Sequence, residues 1–190
     1  MKPTCNIAFK EWAVVCAALG TGRQTIILRK GGIDEGREGF RVKHNEFWLL
    51  PTQFHQEPSQ LTPDAQPLWR QVQSELLLPG KFRIDLYAVV QDVLEVDNFA
   101  KLQQLAGEHV LSQPTVEQRF NYRYPGLFVL VVRIHRIPVA VEIDDTPYLA
   151  GCKSWVELPN AISTNQACPI LADADFAALR KRTVGFLAGE

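Results

Sequence analysis

The chain has 190 residues, 46% of them hydrophobic and 22% charged, which matches one folded globular domain and excludes long disordered stretches. The formal net charge of -1 excludes a uniformly basic nucleic-acid-binding surface, so any phosphate contact must come from a local cluster of cations. The sequence contains neither a signal-peptide pattern nor an apolar run long enough to span a membrane. We therefore expect a cytoplasmic protein without membrane association.

Apolar spacing predicts a helix over residues 9–19, which ends at Gly20. A short β-branched run predicts a strand over residues 25–29. The glycine-rich segment that follows, residues 31–46, is typical of a surface loop, and residues 47–50 predict a second strand. The first quarter of the chain is therefore expected to contain one helix and two short strands.

Further along, apolar residues four apart predict a helix around residues 68–76. Alternating apolar residues predict long strands over residues 82–96 and 127–137. Asp97 is expected to begin a short helix between these strands, with a turn around Pro114 after it.

Predicted strands outnumber predicted helices, and the two kinds do not alternate strictly. This pattern indicates an α+β fold in which peripheral helices cover a curved mixed sheet. We expect residues 1–190 to form a single domain. Its last helix, residues 173–190, could stand as a C-terminal appendage.

The first candidate site lies where the strand over residues 25–29 ends. Arg29 and Lys30 precede Gly31 and Gly32, and glycine allows backbone N–H groups to turn toward one point. Two cations beside such a turn would bind an anion. The same four residues also suit a solvated β-turn.

Two further segments could extend this site. Thr52, His55 and Gln56 are hydrogen-bonding side chains that follow the second strand, and His55 is the most plausible general base among the four histidines.

In residues 119–126, RFNYRYPG, arginines interleave with aromatic rings, and Arg119, Tyr122 and Arg123 are the candidate contacts. Aromatic rings stack on bases and guanidinium groups hold phosphates, although the same rings also suit ordinary packing.

No catalytic signature accompanies these residues. The sequence lacks the P-loop, dinucleotide-binding, zinc-protease and nucleophile-elbow motifs, and no lysine follows an acid at the spacing of a restriction-type nuclease core. The four cysteines are far apart, with no spacing typical of a metal site, so they are expected to be reduced. We expect neither a cofactor nor a metal, and no catalytic residue can be assigned.

The segments FKEWAVVCAAL, QTIILRKGGI, FWLLPTQFHQ and GLFVLVVRIHRI together resemble DUF1802, a bacterial family of unknown function that is common in cyanobacteria. The resemblance covers nearly the whole chain. It implies a defence or restriction-modification setting and a restriction-endonuclease-type partner protein, because members of the family have been linked with such domains.

A second resemblance is to the PUA-like superfamily, in particular its ASCH branch, and rests on Gly22, Thr25 and Arg29 followed by two long strands. It implies a mixed β-barrel and a pocket near Arg29 that binds RNA or a modified nucleotide. Some small ASCH proteins hydrolyse acylated cytidines with a Lys and a Thr in this turn. Gln24 and Ile27 stand at those positions here, so that activity is not implied.

The leading hypothesis is a non-enzymatic nucleic-acid or nucleotide-binding domain with a PUA-like barrel, whose partner is RNA, DNA or a modified nucleotide. One alternative is a small hydrolase or nuclease subunit that uses His55 as a base with Glu11 or Glu46 as its partner. The other alternative is a non-catalytic interaction subunit, which would expose an apolar patch instead of a polar cleft.

Overall fold

Seven strands form one sheet in the computed structural model, which describes residues 1–30, 42–53, 56–75, 80–149 and 153–189. In chain order, the strands and α-helices of these residues are β1 (Thr4–Trp12), α1 (Ala13–Gly20), β2 (Ile26–Arg29), β3 (Glu46–Thr52), α2 (Gln66–Glu75), β4 (Lys81–Val96), α3 (Phe99–Gln103), α4 (Gln113–Asn121), β5 (Leu127–Asp144), β6 (Trp155–Ser163), β7 (Cys168–Pro169) and α5 (Asp173–Ala188).

The strand order is β2-β5-β4-β3-β1-β6, and β7 pairs with β5. β1 and β3 are parallel, whereas the other pairs are antiparallel, so the α+β fold with a mixed sheet is confirmed. Within the described residues, β2 and β6 stand at opposite ends of this order and do not pair. The sheet is therefore open, and the expected closed barrel is not confirmed.

Both faces of the sheet are covered, and β3 shows how. Phe47 and Leu49 pack into one buried cluster with α1, whereas Trp48 and Leu50 pack into a second cluster on the other face. Successive side chains of a strand point to opposite faces, so a strand that is buried on both sides reads as a continuous apolar run. This explains the sequence FWLL at the centre of β3.

The prediction of a helix over residues 9–19 is wrong at its beginning. Phe9 pairs with Leu49 of β3 on one side and with Trp155 of β6 on the other, so this part of the chain is an interior strand. Backbone pairing along both edges outweighs the helical spacing of the apolar residues. The helix begins at Ala13, and the strand before it carries acidic Glu11 into the interior.

The segment around Pro114, expected to be a turn, is the beginning of helix α4. Pro114 stands in the first turn of that helix, where the missing N–H has no intrahelical partner to lose. The helix continues to Asn121, and its last turn positions Arg119 near the end of β2.

The helix before it, α3, is capped by Asn98 instead of Asp97, because the Asn98 side chain accepts a hydrogen bond from the Ala100 amide at 2.9 Å.

The C-terminal helix α5 begins at Asp173 as expected and packs onto the larger buried cluster through Phe176 and Leu187. Arg180 on its outer surface forms a bidentate pair with Asp92 of β4, with N–O distances of 2.6 and 2.8 Å. Among the described helices, none combines the length and the apolar character needed to cross a membrane.

Candidate functional site

The end of β2 and the helix α4 enclose an open cleft with a volume of about 310 Å³. It is lined by Leu28, Arg29, Lys30, Gln118, Arg119 and Tyr122, and we call it the Arg29–Arg119 cleft. Three of these side chains are cations and none is an acid. Four of the candidate residues from the sequence, Arg29, Lys30, Arg119 and Tyr122, therefore lie around one cleft.

Arg29 spans the gap between the two ends of the open sheet. Its Nη2 donates a hydrogen bond to the Ser154 hydroxyl, immediately before β6, although Arg29 itself belongs to β2. Its guanidinium lies 4.8 Å from the centre of the Phe9 ring. Its Nη1 lies 3.7 Å from Oε2 of Glu11, so a buried carboxylate stands behind the cleft.

Glu11 and Arg29 each have a buried polar atom without a hydrogen-bond partner among the described residues. Glu11 Oε1 accepts a hydrogen bond from the Trp12 amide at 2.8 Å, whereas Oε2 is buried and has no hydrogen-bond partner among the described residues. The Nε of Arg29 is also buried and unpaired there. A buried polar atom without a partner costs about 1–3 kcal/mol, so the wall of the cleft carries hydrogen-bonding capacity that the described protein groups do not use.

Arg119 brings a second guanidinium to the same place. Its Nη1 donates to the Leu28 carbonyl at 3.1 Å, and its guanidinium lies 4.4 Å from the centre of the Trp12 ring. Burial lowers the pKa of Arg119 from its ordinary value, Glu11 acts in the opposite direction, and the charge of Arg29 lowers it further. Arginine keeps its proton in proteins, so Arg119 is a second guanidinium ion within electrostatic range of Glu11 and Arg29.

Lys30 has a different role from its neighbour Arg29. Its Nζ donates to the carbonyl groups of Phe120, Tyr124 and Gly126 and lies 4.2 Å from the centre of the Tyr124 ring. An ammonium group has three N–H donors, and these three carbonyls account for them. Partial burial lowers the pKa of Lys30. The side chain thus fixes the chain after α4, and its positive charge remains beside the cleft.

Thr52 and Gln56 do not line the cleft but hold the backbone behind it. The Thr52 hydroxyl donates to the Glu11 carbonyl at 3.2 Å. The Gln56 side chain donates to the Thr52 carbonyl and accepts from the Val14 amide at 3.4 Å. These contacts tie the end of β3 to the junction of β1 and α1, where Glu11 lies.

Tyr122 and Arg123 give the cleft an exposed rim. Tyr122 is 45% exposed, and Tyr124, two residues later, is 55% exposed. The Arg123 guanidinium lies 5.3 Å from the centre of the Tyr122 ring, and Arg123 has a positive φ of 65°, which turns the chain beyond α4. Accessible rings next to guanidinium groups are available for stacking.

Gly31, Gly32 and His55 lie outside the described residues. The hydrolase alternative needs a carboxylate within hydrogen-bonding distance of His55, and that pair cannot be placed. Glu46, its other candidate carboxylate, accepts hydrogen bonds from the Lys2 amide at 2.7 Å and from the Tyr87 hydroxyl at 2.8 Å. No cluster of three or more potential metal ligands was found in the described parts of the chain.

The sequence did not mark several residues of the site. Glu11 is a sequence candidate only as a partner of His55, although an acid directly before the apolar run WAVVCAAL is a usable signal of a buried charge. Gln118 lines the cleft because α4 is a helix, which was not predicted. Ser154 has no sequence signal, because its contact with Arg29 depends on the approach of β2 to β6.

The α+β domain described here belongs to the family Domain of unknown function (DUF1802), whose model matches residues 8–182. No curated protein matches the chain in sequence.

Among solved structures, the chain is similar to ASCH from Zymomonas mobilis, with 12% identity and a TM-score of 0.44 over 92% of this chain and 93% of that one. Two mutant proteins of ZmASCH also match at 11% identity. One has a TM-score of 0.45 over 95% of this chain and 98% of its own, and the other 0.47 over 92% and 96%.

Proposed function

We propose that the chain binds nucleic acid or a nucleotide through the Arg29–Arg119 cleft. The observation that carries this proposal is the charge of the lining: Arg29, Lys30 and Arg119 lie together without an acid among them, in a chain whose net charge is -1. Phosphate binding depends on such local concentration of cations, and it does not require a basic protein.

The side chains of the cleft suit a phosphate with a base beside it. A guanidinium group offers parallel N–H donors to phosphate oxygens, and the Arg29 side chain is 21% exposed, although its Nε is itself buried. Tyr122 lies at the rim with nearly half of its surface exposed, so its ring is accessible to a base for stacking.

Glu11 regulates how strongly Arg29 attracts an anion. Its Oε2 lies 3.7 Å from Nη1 of Arg29, and a bound phosphate would compete with this carboxylate for the same guanidinium. The carboxylate therefore weakens binding while it keeps Arg29 in place in the unbound protein. Removal of the Glu11 carboxylate by mutation should therefore strengthen phosphate binding, and this direction can be tested.

The test is a fluorescence-anisotropy titration of the protein with labelled single-stranded RNA, single-stranded DNA and duplex DNA at two salt concentrations. We expect Arg119→Gln and Arg29→Gln each to weaken binding by about tenfold or more, because a hydrogen bond to a charged group contributes about 1.5–3 kcal/mol. Arg180→Gln is the matched control, since it removes the same charge from α5, where Arg180 pairs with Asp92 on the surface.

Thermal unfolding of each variant separates loss of binding from loss of folding. Tyr122→Ala removes an exposed ring that could stack on an unpaired base. It should therefore weaken binding of single-stranded nucleic acid more than binding of duplex DNA. Equal weakening by Arg180→Gln and Arg119→Gln would show that only overall charge matters. Absence of salt-dependent binding to all three nucleic acids would refute the proposal.

A further inference from the structure

A second cavity, separate from the Arg29–Arg119 cleft, lies between α1, α2 and the beginning of β4. Its volume is about 460 Å³, within the range of about 300–1,000 Å³ that is usual for small-molecule sites. None of the residues that line the cleft lines this cavity. It therefore requires its own explanation.

Away from the charged residues, the walls of the cavity are mostly aliphatic, with Thr21 and Gln71 as polar members of the lining. Helix α1 contributes the small side chains Ala13 and Ala17, which leave space between it and Leu68 and Val72 of α2, and β3 adds Leu49. No aromatic ring is found among the described lining residues, so nothing there would stack on a base. The walls suit an aliphatic chain.

The rim of the cavity is charged. Lys81, Arg83 and Asp85 alternate along β4, and Arg136 of β5, which pairs with Leu86, completes the charged lining. Glu142 lies directly opposite Arg83 on β5, so acids balance most of the positive charge at this rim. Whether an anion is favoured at the open end of the cavity therefore depends on which cation is left without an ion pair.

Two of the three cations at the rim, Arg136 and Lys81, are held in ion pairs. Nε of Arg136 lies 3.1 Å from Oδ2 of Asp85, and its Nη2 donates to the Gly20 carbonyl at 3.1 Å, which closes the C-terminal end of α1. Lys81 lies 3.5 Å from Glu142. Arg83 is exposed and has no hydrogen bond or ion pair within the described part of the chain. Its guanidinium is thus available to an oxyanion.

The cavity does not carry an activated nucleophile. Cys16 lines it, but its thiol donates to the Glu11 carbonyl at 3.8 Å, and burial raises the pKa of Cys16 well above its ordinary value. A buried neutral thiol is unreactive at neutral pH. The lining is consistent with reversible binding.

We propose that this cavity binds an organic acid with an aliphatic chain, whose carboxylate or phosphate group pairs with Arg83 while the chain lies between α1 and α2. The site does not depend on the nucleic-acid proposal, because the two sets of lining residues are distinct.

The test is isothermal titration of the full chain with decanoate, decyl phosphate and 1-decanol. We expect at least one of the two anions to bind at least tenfold more tightly than the neutral alcohol, and the tighter anion identifies the preferred head group. Arg83→Gln should remove about tenfold of the anion affinity without changing the affinity for decanol. Arg180→Gln is the charge-matched control.

A second pair of variants tests the place of the aliphatic chain. Ala17→Leu fills the cavity and should abolish binding of all three compounds, whereas Ala177→Leu makes the same change on an exposed face of α5 and should have no effect. If Ala17→Leu does not fold, the exposed Arg83 still provides the test. Failure of all three compounds to bind, equal binding of anions and alcohol, or full binding by a folded Ala17→Leu variant would overturn the proposal.

Discussion

The two faces of the sheet treat their buried polar atoms differently. On the face of Trp48, the indole N–H donates to the Cys5 carbonyl at 3.0 Å, and the Tyr87 hydroxyl donates to Glu46 at 2.8 Å. On the face of the Arg29–Arg119 cleft, Glu11 Oε2 and Arg29 Nε are buried without a hydrogen-bond partner in the described residues. The donors of Trp48 and Tyr87 are satisfied internally, although Nδ1 of His135, which pairs with Tyr87 on the same face, is also buried without a hydrogen-bond partner among the described residues. The cleft differs because an unused donor and an unused acceptor belong to the two members of one ion pair.

This difference separates residues that hold the fold from residues that are available to a ligand. Buried polar groups in proteins are nearly always paired, so a paired group needs no explanation beyond stability, whereas an unpaired group indicates a missing partner or a function. The polar groups around Trp48 belong to the first kind. Glu11 and Arg29 belong to the second kind, and they border the cleft that we propose binds phosphate.

The largest expected effect lies on the face of Trp48. Trp48 is completely buried, and Trp48→Ala should lower the free energy of unfolding by about 3–5 kcal/mol, because it leaves a cavity and removes a hydrogen bond. Urea unfolding measures this change. The nucleic-acid affinity of the folded fraction should stay the same, and a parallel loss of affinity would show that the two faces are not independent.

A smaller, pH-dependent effect is expected at His109, whose charge environment includes Arg119. Burial and, to a smaller extent, the charge of Arg119 lower the pKa of His109 to about 4, although hydrogen bonding with the backbone acts in the opposite direction. The unfolded chain takes up a proton near pH 6.5, before the folded protein does, so acid favours unfolding. Between pH 6.5 and 4 the protein should lose up to about 3 kcal/mol of stability through this residue.

The variant His109→Asn tests this expectation. Its free energy of unfolding should change less between pH 6.5 and 4 than that of the unmodified protein, whatever its absolute stability. An identical pH dependence in both proteins would show that His109 is not the residue responsible.

The next effect concerns the hydrogen bond between Tyr87 and Glu46 on the face of Trp48. Tyr87→Phe removes a hydroxyl that donates to Glu46, while the Lys2 amide continues to donate to the same carboxylate oxygen. We expect a loss of about 1 kcal/mol in unfolding experiments, the usual net contribution of one hydrogen bond. A loss of several kcal/mol would indicate that the Lys2 amide alone does not satisfy the Glu46 carboxylate when the Tyr87 hydroxyl is removed.

Some of the fold could be predicted from the sequence because its signals are local. The alternating apolar residues of β4 and β5 and the helical spacing of residues 13–19 depend only on which faces are buried. β1 could not be recognised, because its strand character comes from pairing with β3 and β6, which are distant in the chain. α4 was missed because Pro114 was interpreted as a turn when it occupies the first turn of a helix.

The candidate site also has features that could be predicted from the sequence and features that depend on contacts distant in the chain. Arg29, Lys30, Arg119 and Tyr122 were candidates because cations and aromatic rings are visible in sequence, and the structure places them around one cleft. Their binding role stays a prediction. The different contacts of Arg29 and Lys30 could not be predicted, because the carbonyl groups that bind Lys30 come from the end of α4 and the segment after it, 90 to 96 residues further along the chain.

The most direct test of the central claim is the affinity of Glu11→Gln for single-stranded RNA at low salt. Glutamine keeps the acceptor for the Trp12 amide but removes the carboxylate charge that pairs with Arg29. A charge about 5 Å from a phosphate contributes about 0.8 kcal/mol even in water, so binding should become about fourfold tighter. Unchanged or weaker binding by a folded Glu11→Gln variant would contradict the assignment of the Arg29–Arg119 cleft as the phosphate site.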